Sequence, residues 1–132
     1  MQFFFISRRN HNGKTLEPRI PKHRMREEDS ILKRICVSNS IVGCLAAVGG
    51  LKEGNTVYIH TCQSENIIYP TIDQVPDVNF TGEVWITHLL QMTLIQKIKI
   101  TKVSHFEFDP ENGIDMTNYQ YKIIHSKRKE NK

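Results

Sequence analysis

No apolar run in this 132-residue chain approaches the ~20 residues that a helix needs to cross a bilayer. The stretch Phe3-Phe4-Phe5-Ile6 is too short for a signal-peptide core, and Arg8-Arg9 follow at once. The reading is therefore a soluble, cytoplasmic protein with no membrane partner. Cysteine is sparse: Cys36, Cys44 and Cys62 are odd in number and form no C-x-x-C pair. That excludes metal-finger spacing and argues against a secreted disulfide framework. Reduced thiols are expected, with Cys36 and Cys44 as core fillers. The six histidines are scattered singly, so no metal site is read. Also missing are a Walker loop, G-x-G-x-x-G, H-E-x-x-H, G-x-S-x-G and a recognisable carboxylate pair, which removes the common signatures of nucleotide hydrolases, zinc proteases, serine hydrolases and glycosidases. There is no internal repeat and no low-complexity stretch.

What is present suits one domain with a single core, since 39% hydrophobic and 24% charged residues are ordinary globular values. The net charge of +4 hides an uneven distribution. Residues 1–34 carry nine Lys/Arg against four Asp/Glu (+5), residues 35–121 four against nine (−5), and residues 122–132 five against one (+4). The basic ends lack the interleaved basic and aromatic pattern of a nucleic-acid binder, which argues against that class. Residues 1–124 are read as one α+β domain and 125–132 as a basic, frayed tail.

The organising stretch is 34–50. Ile35 and Val37 alternate with Cys36 and Ser38 as a strand does, and Ser38-Asn39-Ser40 supplies helix-capping oxygens. Ile41, Cys44, Leu45 and Val48 then fall on one helical face, and Gly49-Gly50 stops the helix. Further strands are read at Gln2–Ser7 (central, because its phenylalanines suit burial on both faces), at 55–61, at 83–87 and at 92–101. Phe106/Phe108 and Tyr119/Tyr121/Ile123 flank a turn at Pro110–Gly113 as a loose hairpin. Residues 22–34 read as a charged loop or one helical turn. The fold class expected is a small mixed, mainly antiparallel sheet with one short central helix, Ser40–Val48.

Four places carry candidate chemistry. Pro18 and Pro21 stiffen the chain around Arg19, which suits either a phosphate grip or a plain surface strap. The Ser38–Ser40 junction, with Arg34 just before it, is the kind of strand-to-helix turn that binds anions. Tyr58 and His60 share one strand face, as a pocket wall or as hydrogen-bonded structure. Gly82-Glu83-Val84-Trp85 sets a carboxylate beside an aromatic plate, suited to a ribose and base, or simply an edge glutamate beside a buried indole.

The segments RICVSNSIVGCLAAV, TGEVWITHLLQMTLIQKIKI and GKTLEPRIP resemble small phage- and prophage-encoded proteins. More distantly, the layout is similar to the ADP-ribosyltransferase-like fold. That resemblance implies a serine-bearing strand end at Ser38 and Ser40, a glutamate at Glu83, and a first-motif basic residue at Arg8, Arg9 or Arg19. In place of the family's serine-threonine-serine stands Ser38-Asn39-Ser40, and a clear H-x-T is missing. Two functions follow. One is a phage-type binder that sequesters an NAD-derived or other nucleotide, or engages a host protein, in the host cytoplasm. Its ligand-binding set is Arg19, Arg34, Ser38, Ser40, Tyr58, His60, Glu83 and Trp85. The other is an NAD-dependent ADP-ribosyltransferase or glycohydrolase, with Glu83 and Ser38 catalytic and NAD as the nucleotide. A homo-oligomer is open through Trp85 or the Phe106/Phe108 strand, if exposed.

Overall fold

The computed structural model describes residues 1–20, 32–75 and 78–126. Residues 21–31, including Pro21 and most of the expected charged loop, and residues 127–132 of the expected tail lie outside the described residues. The strands are β1 (Gln2–Ser7), β2 (Thr15–Leu16), β3 (Ile35–Ser38), β4 (Thr56–Gln63), β5 (Glu83–Ile86), β6 (Leu90–Gln91), β7 (Thr93–Asp109) and β8 (Ile114–Ser126). Two helices, α1 (Ile41–Val48) and α2 (Val78–Thr81), complete a small α+β protein. Six strands form one sheet in the order β5-β3-β1-β4-β7-β8, every pairing antiparallel, and β2 with β6 forms a two-stranded ribbon.

β1 is central because its side chains are wanted on both faces. Phe4 and Ile6 project to the face that carries α1, where Ile6, Cys44, Leu45, Val57, Ile59, Ile98 and Ile100 form one core. Phe3 and Phe5 project to the other, where Phe3 joins Ile35, Val37, Cys62, Val84, Ile86, Leu90 and Met92. Each core side chain of this size contributes roughly 1.5–3 kcal/mol through burial.

α1 starts where Ser40 leaves the extended region (φ −144°, ψ 152°) and its hydroxyl accepts the Gly43 N–H at 3.0 Å. It ends at Gly49, whose φ of +65° disfavours a side chain. The second helix, α2, stands just ahead of the expected glycine turn, so the one-helix reading is corrected. Four residues, Val78–Thr81, are too few to show a helical period. Two further expectations extend. β7 runs for 17 residues rather than ten, and β8 continues through His125 to Ser126 instead of fraying at 125. The hairpin is long enough for its tip to meet α2, where Phe106 and Phe80 stand edge to face with ring centroids 5.6 Å apart. Among the described residues no helix is long and apolar enough to cross a membrane.

Gly43 is the tightest position. A Cβ there would stand 2.0 Å from the Thr81 carbonyl oxygen and 2.9 Å from Ser38 Oγ. Gly43→Ala is expected to destabilise by about 1–3 kcal/mol through overpacking. Val42→Ala, one residue away and 60% exposed, should stay within about 0.5 kcal/mol. Urea unfolding of both variants checks the contrast.

Candidate functional site

The antiparallel register of β3 and β5 sets Ser38 opposite Glu83 and Cys36 opposite Trp85. Side chains alternate along a strand, so these four stand on one face, the α1 face, because Ser38 also pairs with Phe4 of β1. Arg34, two residues before Cys36, continues the row. Its guanidinium carbon sits 4.0 Å from the centroid of the Trp85 ring, and its Nη1 donates to the Leu32 carbonyl at 2.8 Å. The Trp85 indole N–H donates to Glu83 Oε2 at 2.6 Å. The result is a stack of guanidinium on indole, with the indole aiming a carboxylate. Arg34 and Trp85 are fully buried, and Glu83 is 8% exposed, the most accessible of the group.

Ser38 is held differently. Its hydroxyl donates to the Thr81 carbonyl at 2.5 Å and accepts the Ser40 N–H at 3.3 Å. The Ser40 hydroxyl is spent on the helix cap. Gly82, at φ +63°, lets the Asn39 side chain come close, since a Cβ there would meet Asn39 Oδ1 at 2.4 Å. The junction is thus clamped to the Thr81-Gly82 turn. Sequence reading missed Thr81, Gly82 and Gly43 as partners of this junction, because only the fold brings residues 38–43 beside 81–82.

Arg19 stands next to this group through backbone bonds: its N–H donates to the Arg34 carbonyl (3.1 Å) and Arg34 N–H donates back (2.8 Å). Its side chain is exposed. Arg8 reaches the Gly50 carbonyl at 3.3 Å, at the far end of α1, and Arg9 is an exposed loop residue.

Tyr58 and His60 do not join the others, which corrects the single-cleft expectation. β1 pairs Phe5 with His60 and Ser7 with Tyr58, so both lie on the opposite face of the sheet. His60 is structural by its bonding. Its Nε2 accepts the His11 N–H at 2.9 Å, which requires the Nδ1–H tautomer, and Nδ1 then donates to the Phe5 carbonyl at 3.2 Å. The rings of Phe5, His11 and His60 cluster with centroids 5.4–5.9 Å apart. Burial lowers the His60 pKa, with nearby His11 adding to it and the carbonyl bond opposing it. Desolvation, then Lys14, Arg9 and Arg19, lower that of His11. Cys44 and Cys62 are pushed up to about 12, chiefly by burial, so neither is a nucleophile at neutral pH. No cluster of three metal-ligating side chains occurs among the described residues.

No protein-family model, no curated protein and no solved structure matches this chain.

Both histidines resist protonation in the folded state relative to the usual 6.5. Below that value the unfolded chain takes up protons that the folded chain refuses. Their contribution to stability is therefore whole above about pH 6.5 and declines as pH falls below it. Urea midpoints at about pH 7.5 and 5.5 should differ in that direction, and His60→Gln should flatten the difference.

Proposed function

We propose that the Arg34–Trp85–Glu83 face, with Arg19 at its rim, binds an NAD-derived or other nucleotide and holds it without turnover. The observation that carries this reading is the register of β3 on β5, which sets Ser38 and Glu83 directly opposite each other beside the arginine-stacked indole. Glu83 accepts the indole N–H on Oε2, which holds its carboxylate beside the aromatic plate that a base and ribose would meet. Arg19, exposed and tied by its backbone to Arg34, suits the phosphate. Absence of turnover is supported by Ser38, whose hydroxyl proton is already given to Thr81 and is not offered to a substrate. A sequestering role in a phage-type protein is part of the same proposal.

The second reading is ADP-ribosyl transfer or NAD hydrolysis. It is favoured by the neighbouring placement of a serine-bearing strand end and a glutamate strand, the pair that a resemblance to the ADP-ribosyltransferase-like fold would lead one to expect. There Glu83 would stabilise positive charge developing on the ribose.

Trp85 is the sole tryptophan, so its emission reports on this face directly. Thermal shift and Trp85 fluorescence with NAD, ADP-ribose and cyclic nucleotides should give one ligand whose stabilisation grows with concentration, about 2.7 kcal/mol at one hundred times Kd. Glu83→Gln should weaken that response, and nicotinamide release should be absent from both proteins. Release by the wild type that Glu83→Gln abolishes would establish the second reading instead. No response to any nucleotide would remove both.

A further inference from the structure

On the face opposite α1, Leu16 of β2, Leu90 of β6 and the following Met92 pack against Ile35, Val37, Val84 and Ile86 of β3 and β5. Across β4, β7 and β8 this face presents two cross-strand rows. In one, Ser7, Tyr58, Lys97 and His125 stand side by side on four strands. In the next, Thr56, Lys99 and Lys122 do the same. A third pair, Lys102 opposite Gln120, follows across a bulge. Lys99, Lys102, Lys122 and His125 are exposed, and the Lys97 ammonium lies 5.6 Å from the centroid of the half-buried Tyr58 ring.

This pattern is one that a sheet selected for stability alone avoids. Lys99 directly opposite Lys122 is a like-charge pair, and such pairs destabilise a ladder. Acidic partners do not relieve it. Among the described residues no ion pair is made by Lys97, Lys99, Lys102 or Lys122. Along the chain the nearest carboxylates are Glu107, five residues after Lys102, and Asp115, seven before Lys122.

We propose that this face is a docking surface for single-stranded nucleic acid, with Lys97, Lys99, Lys102 and Lys122 on the phosphates and Tyr58 as a stacking plate. A polyanion removes the repulsion that the fold tolerates. The aromatic member favours a nucleic acid, because unpaired bases stack on such rings. A lipid surface would ask for a cluster of large aliphatic side chains; the paired rows contain none, and Ile124 at the bulge between Lys122 and His125 is a single exposed one beside them. The positive field also extends past the rows, since Lys14 and Arg9 act on His11 above the same face. This surface lies across the sheet from Glu83, so it stands or falls independently of the nucleotide reading.

Fluorescence anisotropy with a labelled, mixed-sequence single strand of about 20 nucleotides tests it, between about 50 and 200 mM salt. Four ammonium groups predict a log–log salt slope of about −3, at roughly 0.7 per phosphate for single strands. Lys99→Ala/Lys122→Ala removes exposed, mutually repelling groups, so it should keep the fold and shrink the slope by about 1.4. Tyr58→Leu should weaken binding about tenfold. No binding at the low-salt end overturns the proposal, as does an unchanged slope in the lysine variant. Equal affinity in Tyr58→Leu removes the stacking plate and with it the single-strand assignment. Capture by phosphatidylserine vesicles without capture of the oligonucleotide would assign the face to a membrane surface and overturn the proposal.

Discussion

A single buried hydroxyl ties the two halves of the candidate site together. Ser38 Oγ donates to the Thr81 carbonyl, and that bond fixes where the end of β3 sits against the turn leading into β5. Everything on that face inherits the alignment: Glu83 opposite Ser38, Trp85 opposite Cys36, and Arg34 over the indole. The absence of a side chain at Gly43 lets the first turn of α1 come down on the same carbonyl. Removing a buried hydrogen-bond partner leaves its mate unsatisfied at a cost of about 1–3 kcal/mol, so the clamp is worth more than its nominal bond.

Burying Arg34 and Glu83 in one protein interior is expensive, several kcal/mol for each ion even after relaxation. The arrangement offsets part of this by stacking. A desolvated guanidinium on tryptophan contributes ~2 kcal/mol, and the indole N–H adds a charge-assisted bond to the carboxylate. A core of leucine and isoleucine would stabilise the strands more cheaply.

Much of the fold was legible because its signals are local. The Ile35/Val37 and Ile98/Ile100 alternations gave β3 and the middle of β7, and Ser40 with Gly49 bracketed α1. The centrality of β1 followed from phenylalanines that demand burial on both sides. The split of the candidate site was not legible. Tyr58 and His60 carry the right parity for a shared face, but only pairing with Phe5 and Ser7 says which face that is. A bulge compounds this, since β4 pairs Ile59 with Gln96 but His60 with Leu94, so alternation along β7 changes sides there. The lysine rows were hidden for the same reason. By composition Lys99 belongs to the acidic middle of the chain and Lys122 to its basic C-terminal stretch, and only the hairpin register makes them neighbours.

The placement of β1 also has a bearing on how the chain is made. A strand in the middle of the sheet needs partners on both flanks, and both of its partners, β3 and β4, lie later in the chain. During synthesis Phe3-Phe4-Phe5-Ile6 emerges before either neighbour, and its pairing on both flanks is incomplete until residue 63 has left the ribosome. An apolar, β-prone segment held open in this way is a template for intermolecular pairing. Arg8 and Arg9, directly after it, act as charged gatekeepers on the nascent chain, a duty separate from any they have in the finished fold.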